Sequence, residues 1–122
     1  MPATNVIFYK EDDATVPALD WIDRLPAKAQ DKCQARLQRL ADSGHELRRP
    51  IADLLRDGIH ELRFVQQGVN YRILYFFHGQ TVAVVSHGLA KERKVPSKEI
   101  NRAIERKRKF EAEPRKHTHE EA

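Results

Sequence analysis

The sequence predicts a small α+β domain: an antiparallel sheet with its helices packed mainly on one face, in the order β-α-α-β-β-β-α. Three observations lead there. Two apolar stretches of helical period adjoin one another within the first 44 residues. Three segments rich in β-branched and aromatic residues then follow at short spacing: "GIHELRF" (58–64), "YRILYFF" (71–77) and "TVAVVSHGL" (81–89). A basic helical segment opened by proline closes the chain. Elements clustered by type, rather than strictly alternating, read as α+β.

The first element is "NVIFYK" (5–10), a short strand of β-branched and aromatic residues. Thr15 stands where a cap belongs, ahead of a helix with Pro17 in its first turn and Leu19, Trp21, Ile22 and Leu25 as its apolar residues. Pro26 restarts a helix in which Ala29, Cys33, Leu37 and Leu40 recur at spacings of four, four and three. That period makes one core stripe, and Gly44 ends it as a C′ residue. The two segments form a helical hairpin. The stretch around Pro50 reads as irregular.

The connectors holding Gly68 and Gly79 are short enough only for hairpins, so the three β segments form an antiparallel meander. Pro96 opens the last helix, with Ile100, Ala103, Ile104 and Phe110 on its apolar side. Residues 1–113 are expected to form one domain, and 114–122 a flexible polar tail without apolar content.

Composition narrows the class. At 122 residues the chain can bury a core without staples, and 40% apolar with 33% charged residues is ordinary globular composition. One cysteine, Cys33, excludes an internal disulfide framework and suits a reducing compartment. No run of about 18 apolar residues is present, so no membrane span is expected. The start "MPATNVIFYKEDD" turns acidic too early for a signal peptide, which makes the cytoplasm the expected address. Charge is uneven: residues 1–87 hold 11 Lys/Arg against 11 Asp/Glu, whereas residues 88–116 hold 11 against 5. A basic end on a small domain suits a polyanion, and equally a solvated helix face.

Strand alternation then places two arginines. Leu62 and Phe64 share one parity with the helix side, which turns Arg63 to the other face. Tyr71, Ile73, Tyr75 and Phe77 likewise meet the helices, leaving Arg72, Leu74 and Phe76 on a face expected to be partly open. Two readings of Arg72 follow. It is a charge held on an open binding face, or it is the partner of Glu61 in a structural cross-strand ion pair.

The run "GIHELRF", "YRILYFF", "VVSHGLAKERKVPSKEINRA" resembles the phage-derived HigB-like branch of the RelE superfamily of toxins, from about Leu54 to Phe110. The resemblance implies a RelE-like fold and a type II toxin that cleaves mRNA at the ribosome. It implies attack of a ribose 2′-hydroxyl on the adjacent phosphate with no metal or cofactor, and silencing by a helix-turn-helix, HigA-like antitoxin. Carried over by position, Arg63 and Arg72 match the arginines of the "ELR" and "YR" strands, and Lys91 matches the first lysine after the "HG" turn. The sequence departs from the family pattern at His60, Leu89 and Glu92, where Tyr, Phe and a second Lys are usual.

Such chemistry needs a clamp on the phosphate and groups that move protons. Arg63 and Arg72 suit the clamp, because a guanidinium grips two phosphate oxygens at once. Lys91, near like charge, and His87 of "SHG" are the proton-transfer candidates. Arg93, Lys94 and Lys98 are the candidate RNA contacts. His117 and His119 are too few for a metal site, and Cys33 belongs to the core. A non-catalytic module that keeps this fold and only partners a repressor is the alternative.

Overall fold

The computed structural model describes residues 3–90 and 93–120. Five strands form one sheet: β1 (Asn5–Phe8), β2 (Ala52–Arg56), β3 (Ile59–Gln66), β4 (Val69–His78) and β5 (Val82–Ala90). Three helices accompany it: α1 (Pro17–Asp23), α2 (Ala27–Ser43) and α3 (Ser97–Ala112). The sheet order is β1-β5-β4-β3-β2, with β1 parallel to β5 and every other pairing antiparallel. This is the expected α+β class. Its fold is consistent with a RelE-like one. No helix among the described residues is long and apolar enough to cross a membrane.

The helical hairpin forms where its periodicity requires. Pro17 occupies the first turn of α1, and Pro26 is the N-cap position of α2. Gly44 ends α2 at φ 52°, a conformation that disfavours a Cβ. Ala29, Cys33, Leu37 and Leu40 are buried against Leu62, Phe64, Tyr71, Ile73 and Tyr75 of the sheet. Thr15 does not cap α1. The N-cap residue is Val16, and the Thr15 hydroxyl instead donates to Asp13 Oδ1 at 2.7 Å in a local turn that precedes the helix.

Three expectations are corrected. The face expected to be open is covered: Leu74 and Phe76 lie at 0% exposure beneath α3, packed with Ile59, Val84, Ile100, Ala103 and Phe110. The apolar stripe of α3 has to be buried, and α1 and α2 already occupy the other face. The region after Pro50 is not irregular throughout. It holds β2, an edge strand whose Asp53 and Arg56 mask its pattern while it pairs Ala52 with Leu62 and Asp53 with Glu61. The segment expected to be a loose tail from residue 114 turns back across β1. There the Lys10 amide donates to the His117 carbonyl at 2.8 Å, and the buried His117 ring stacks on Tyr9 at 5.1 Å. The outer edge of β1 and the apolar face of Tyr9 give a polar segment something to dock on.

Candidate functional site

Beyond the end of the α3-covered core, the same sheet face carries a row of charges. Arg63 and Arg72 are directly registered partners on β3 and β4. Both donate through Nε to Glu61 Oε1, at 3.0 Å from Arg63 and 2.9 Å from Arg72. Glu61 is only 3% exposed, so its carboxylate is stable there because two guanidinium groups flank it. Arg63 Nη2 reaches Asp53 of the neighbouring β2 at 3.3 Å, and Arg72 Nη2 donates to the Arg93 carbonyl at 2.9 Å. Asp53 also binds Arg49 at 2.8 Å, and that hydrogen bond holds its carboxyl below the usual range. The cross-strand pairing of Arg72 with Glu61 is therefore real, and it extends into a network that reaches β2.

Arg63 and Arg72 also line a groove of ≈ 410 Å³ with Lys32, Arg36, Phe64 and Tyr71. Lys32 and Arg36 arrive from α2, whose polar side bonds the strand: Lys32 Nζ donates to the Val65 carbonyl at 2.6 Å and Arg36 Nε to the Arg63 carbonyl at 2.9 Å. Four cationic residues line the groove, Lys32 and Arg36 from α2 and Arg63 and Arg72 from strands whose side chains point to the α3 face, and no carboxylate is among the described residues that line it. Such a groove attracts an anion.

His87 sits two positions from Leu89, the residue paired with Arg72, on the same face. A bulge in β5 opposite Leu74 and Tyr75 brings both Ser86 and His87 toward α3. His87 Nε2 donates to Glu99 Oε1 at 3.0 Å, while Nδ1 accepts from Ser86 Oγ at 2.7 Å and from Arg106 Nη1 at 3.0 Å. Burial, reinforced by the Arg106 charge, pushes the imidazole down to about 4 against the opposing pull of Glu99. At neutral pH the ring is uncharged with both nitrogens occupied. That arrangement makes His87 a strut between β5 and α3.

The remaining expected residues scatter. Lys91 lies outside the described residues. Arg93, Lys94 and Lys98 line the approach to α3, the first two just before it and the last in its first turn. His60 stacks on Tyr75 at 5.2 Å on the helix side, with its pKa lowered first by burial. Tyr75 and Phe76 are core residues. Cys33 is buried, which pushes its thiol up to about 11 and leaves it inert. Among the described residues no group of three or more His, Cys, Asp or Glu is placed to hold a metal.

Sequence reasoning missed Lys32, Arg36, Glu99 and Arg106. One signal was available. Arg106 falls three residues after Ala103 and four before Phe110, squarely on the apolar stripe of α3. A charge at a stripe position has to meet a partner within the fold, here the buried His87 and, at 3.4 Å, the partly exposed Glu11.

The small α+β domain has a fold consistent with a RelE-like one. The family model of the phage-derived Gp49-like proteins (DUF891) matches residues 20–108, and the chain belongs to that family. No curated protein matches the chain significantly.

Proposed function

We propose that the chain is the toxin of a type II toxin–antitoxin pair, of the HigB-like branch, and that it cleaves mRNA on the ribosome. The observation that carries this reading is the groove with Lys32, Arg36, Arg63 and Arg72 and no carboxylate on its described lining. A phosphodiester is the ligand such a groove suits, because guanidinium forks match phosphate oxygens. Both arginines are anchored to Glu61 through Nε, with Nη2 of Arg63 on Asp53 and Nη2 of Arg72 on the Arg93 carbonyl, so in this reading a bound phosphate exchanges for these outer contacts.

In this reading the ribose 2′-oxygen attacks the adjacent phosphorus and the bond to the 5′-oxygen breaks. The products are a 2′,3′-cyclic phosphate and a 5′-hydroxyl. Arg63 and Arg72 stabilise the charge that builds on the pentacovalent phosphorus. Lys91 takes the proton from the 2′-hydroxyl and returns it to the leaving oxygen, since both nitrogens of His87 are engaged. No metal takes part. The cognate antitoxin is a helix-turn-helix, HigA-like protein, and the site of action is the cytoplasm.

One observation favours the non-catalytic alternative: Arg72 is 13% exposed in its side chain and bound to a buried carboxylate, as a purely structural arginine would be. Incubating the purified protein with mRNA-programmed ribosomes and a chelator separates the two readings. Cleavage within the A-site codon, leaving cyclic phosphate ends, supports the toxin. Intact message at stoichiometric protein supports the binding module.

A further inference from the structure

Strand β1 shields only part of β5. Its last registered pair is Phe8 with Val85, whereas β5 runs on to Ala90. Along that uncovered edge lies a groove of ≈ 370 Å³ between α1 and α3. His87 and Gly88 line its floor, Trp21 and Arg24 one wall, and Arg102 and Arg106 the other. Gly88 has a specific reason to be glycine here. A Cβ on it would come within 2.3–2.4 Å of three indole carbons, so Trp21 lies directly on the strand backbone.

The indole also meets Tyr71 edge-on at 6.2 Å, and Tyr71 lines the groove of Arg63 and Arg72. The aromatic pair thus stands between two cationic grooves. Gly88 precedes Leu89, the partner of Arg72, so the second groove starts about one residue rise and one strand spacing from the clamp, roughly 3.3 and 4.8 Å. Its charges are unequal. Among the lining residues three guanidinium groups face two carboxylates, Glu11 and Asp20; Glu11 is engaged by Arg106 at 3.4 Å, and Glu99, beside the lining, pairs with Arg102 at 3.2 Å. Arg24 is exposed and makes no ion pair among the described residues, and Arg102 is 54% exposed beside Glu99. An aromatic plane flanked by guanidinium donors is how proteins hold an unpaired base and its phosphate.

We propose that this groove is a second nucleotide subsite: a base stacks on Trp21, and the adjoining phosphate is held by Arg24 and Arg102. A single RNA strand then runs from the Arg63–Arg72 groove across the Trp21–Tyr71 pair. The proposal rests on the reading of the chain as an RNA-cleaving toxin and extends it to the flanking nucleotide.

Trp21 is the sole tryptophan, so it reports on its own site. The full chain is titrated with a fluorescein-labelled, 2′-O-methylated RNA hexamer, which cannot be cleaved, while indole emission and label anisotropy are followed together. The expected result is saturable quenching that tracks anisotropy. The double variant Arg24→Ala/Arg102→Ala should bind about tenfold more weakly, with a salt slope lower by about 0.7 for each phosphate that is no longer neutralised. Binding that leaves the indole unquenched and is equal in affinity and salt slope in the double variant overturns the subsite and leaves the RNA reading standing. No anisotropy change with the wild-type chain, at any salt, overturns the subsite, and the RNA-cleavage reading falls with it only if mRNA on programmed ribosomes also stays intact.

Discussion

Arg63 and Arg72 face one another across β3 and β4 and share a single oxygen of Glu61, at 3.0 and 2.9 Å. Like charges directly opposite on a sheet repel. Glu61 converts that repulsion into a joint, and its near-complete burial makes the joint strong. The pair is therefore a structural element as well as the proposed phosphate clamp, and its variants must be read on two scales.

Glu61→Ala should destabilise the fold by about 3 kcal/mol, since it leaves two guanidinium groups facing each other without their buried counter-charge. Arg72→Ala should cost less, about 1–3 kcal/mol, because Arg63 still satisfies Glu61. Urea unfolding checks both, and equal stability of Arg72→Ala and wild type would contradict the joint. Arg72→Lys keeps the charge but loses the fork, so it is the variant in which activity should fall with little loss of stability.

The burial of His87 predicts a pH dependence with a definite sign. Its folded pKa of about 4 lies below the ordinary value of 6.5. Above pH 6.5 the ring is neutral folded and unfolded, and its contribution is fully present. As pH falls from 6.5 toward 4 the unfolded state alone takes a proton, and stability drops by up to about 3 kcal/mol. His87→Gln should flatten that fall. Urea midpoints at pH 7.5 and pH 5 give the comparison, and an identical fall in both proteins would contradict a buried neutral His87.

Gly88→Ala should displace the indole of Trp21. The predicted cost is about 1–3 kcal/mol, together with a red shift of Trp21 emission as the ring leaves the strand. Unchanged emission would mean that the ring does not lie against Gly88.

Covering of the second sheet face by α3 is tested by Phe110→Ala. Phe110 is 2% exposed and packs on Phe76 at 5.9 Å, so truncation should cost about 3–5 kcal/mol. A cost below about 1 kcal/mol would mean that α3 sits loosely on the sheet.

Periodicity made much of this legible. The stripe Ala29–Cys33–Leu37–Leu40 and the alternation Tyr71–Ile73–Tyr75 each name one buried face, and each faces the other in the fold. The same alternation put Arg63 and Arg72 side by side, and identified Glu61 as the candidate partner. Local patterns fail where an element's neighbour decides its exposure. Leu74 and Phe76 looked open because nothing local to β4 says that α3 returns over them. The strand β2 was hidden because an edge strand with Asp53 and Arg56 lacks an alternating signature, although its partner β3 fixes it. His87 read as a free proton carrier because its partners, Glu99 and Arg106, are distant in sequence and arrive only with α3. The bulge at Ser86 that aims it there has no short-range signal.

The central claim, that the Arg63–Arg72 pair serves RNA cleavage on the ribosome, is tested most directly by mapping mRNA 5′-ends in cells after induction of the wild type and of Arg72→Lys at matched protein levels. The predicted result is new ends phased to codons with the wild type, falling about 100-fold or more with the variant. Messages cut equally by the two proteins, or uncut by the wild type, would contradict it.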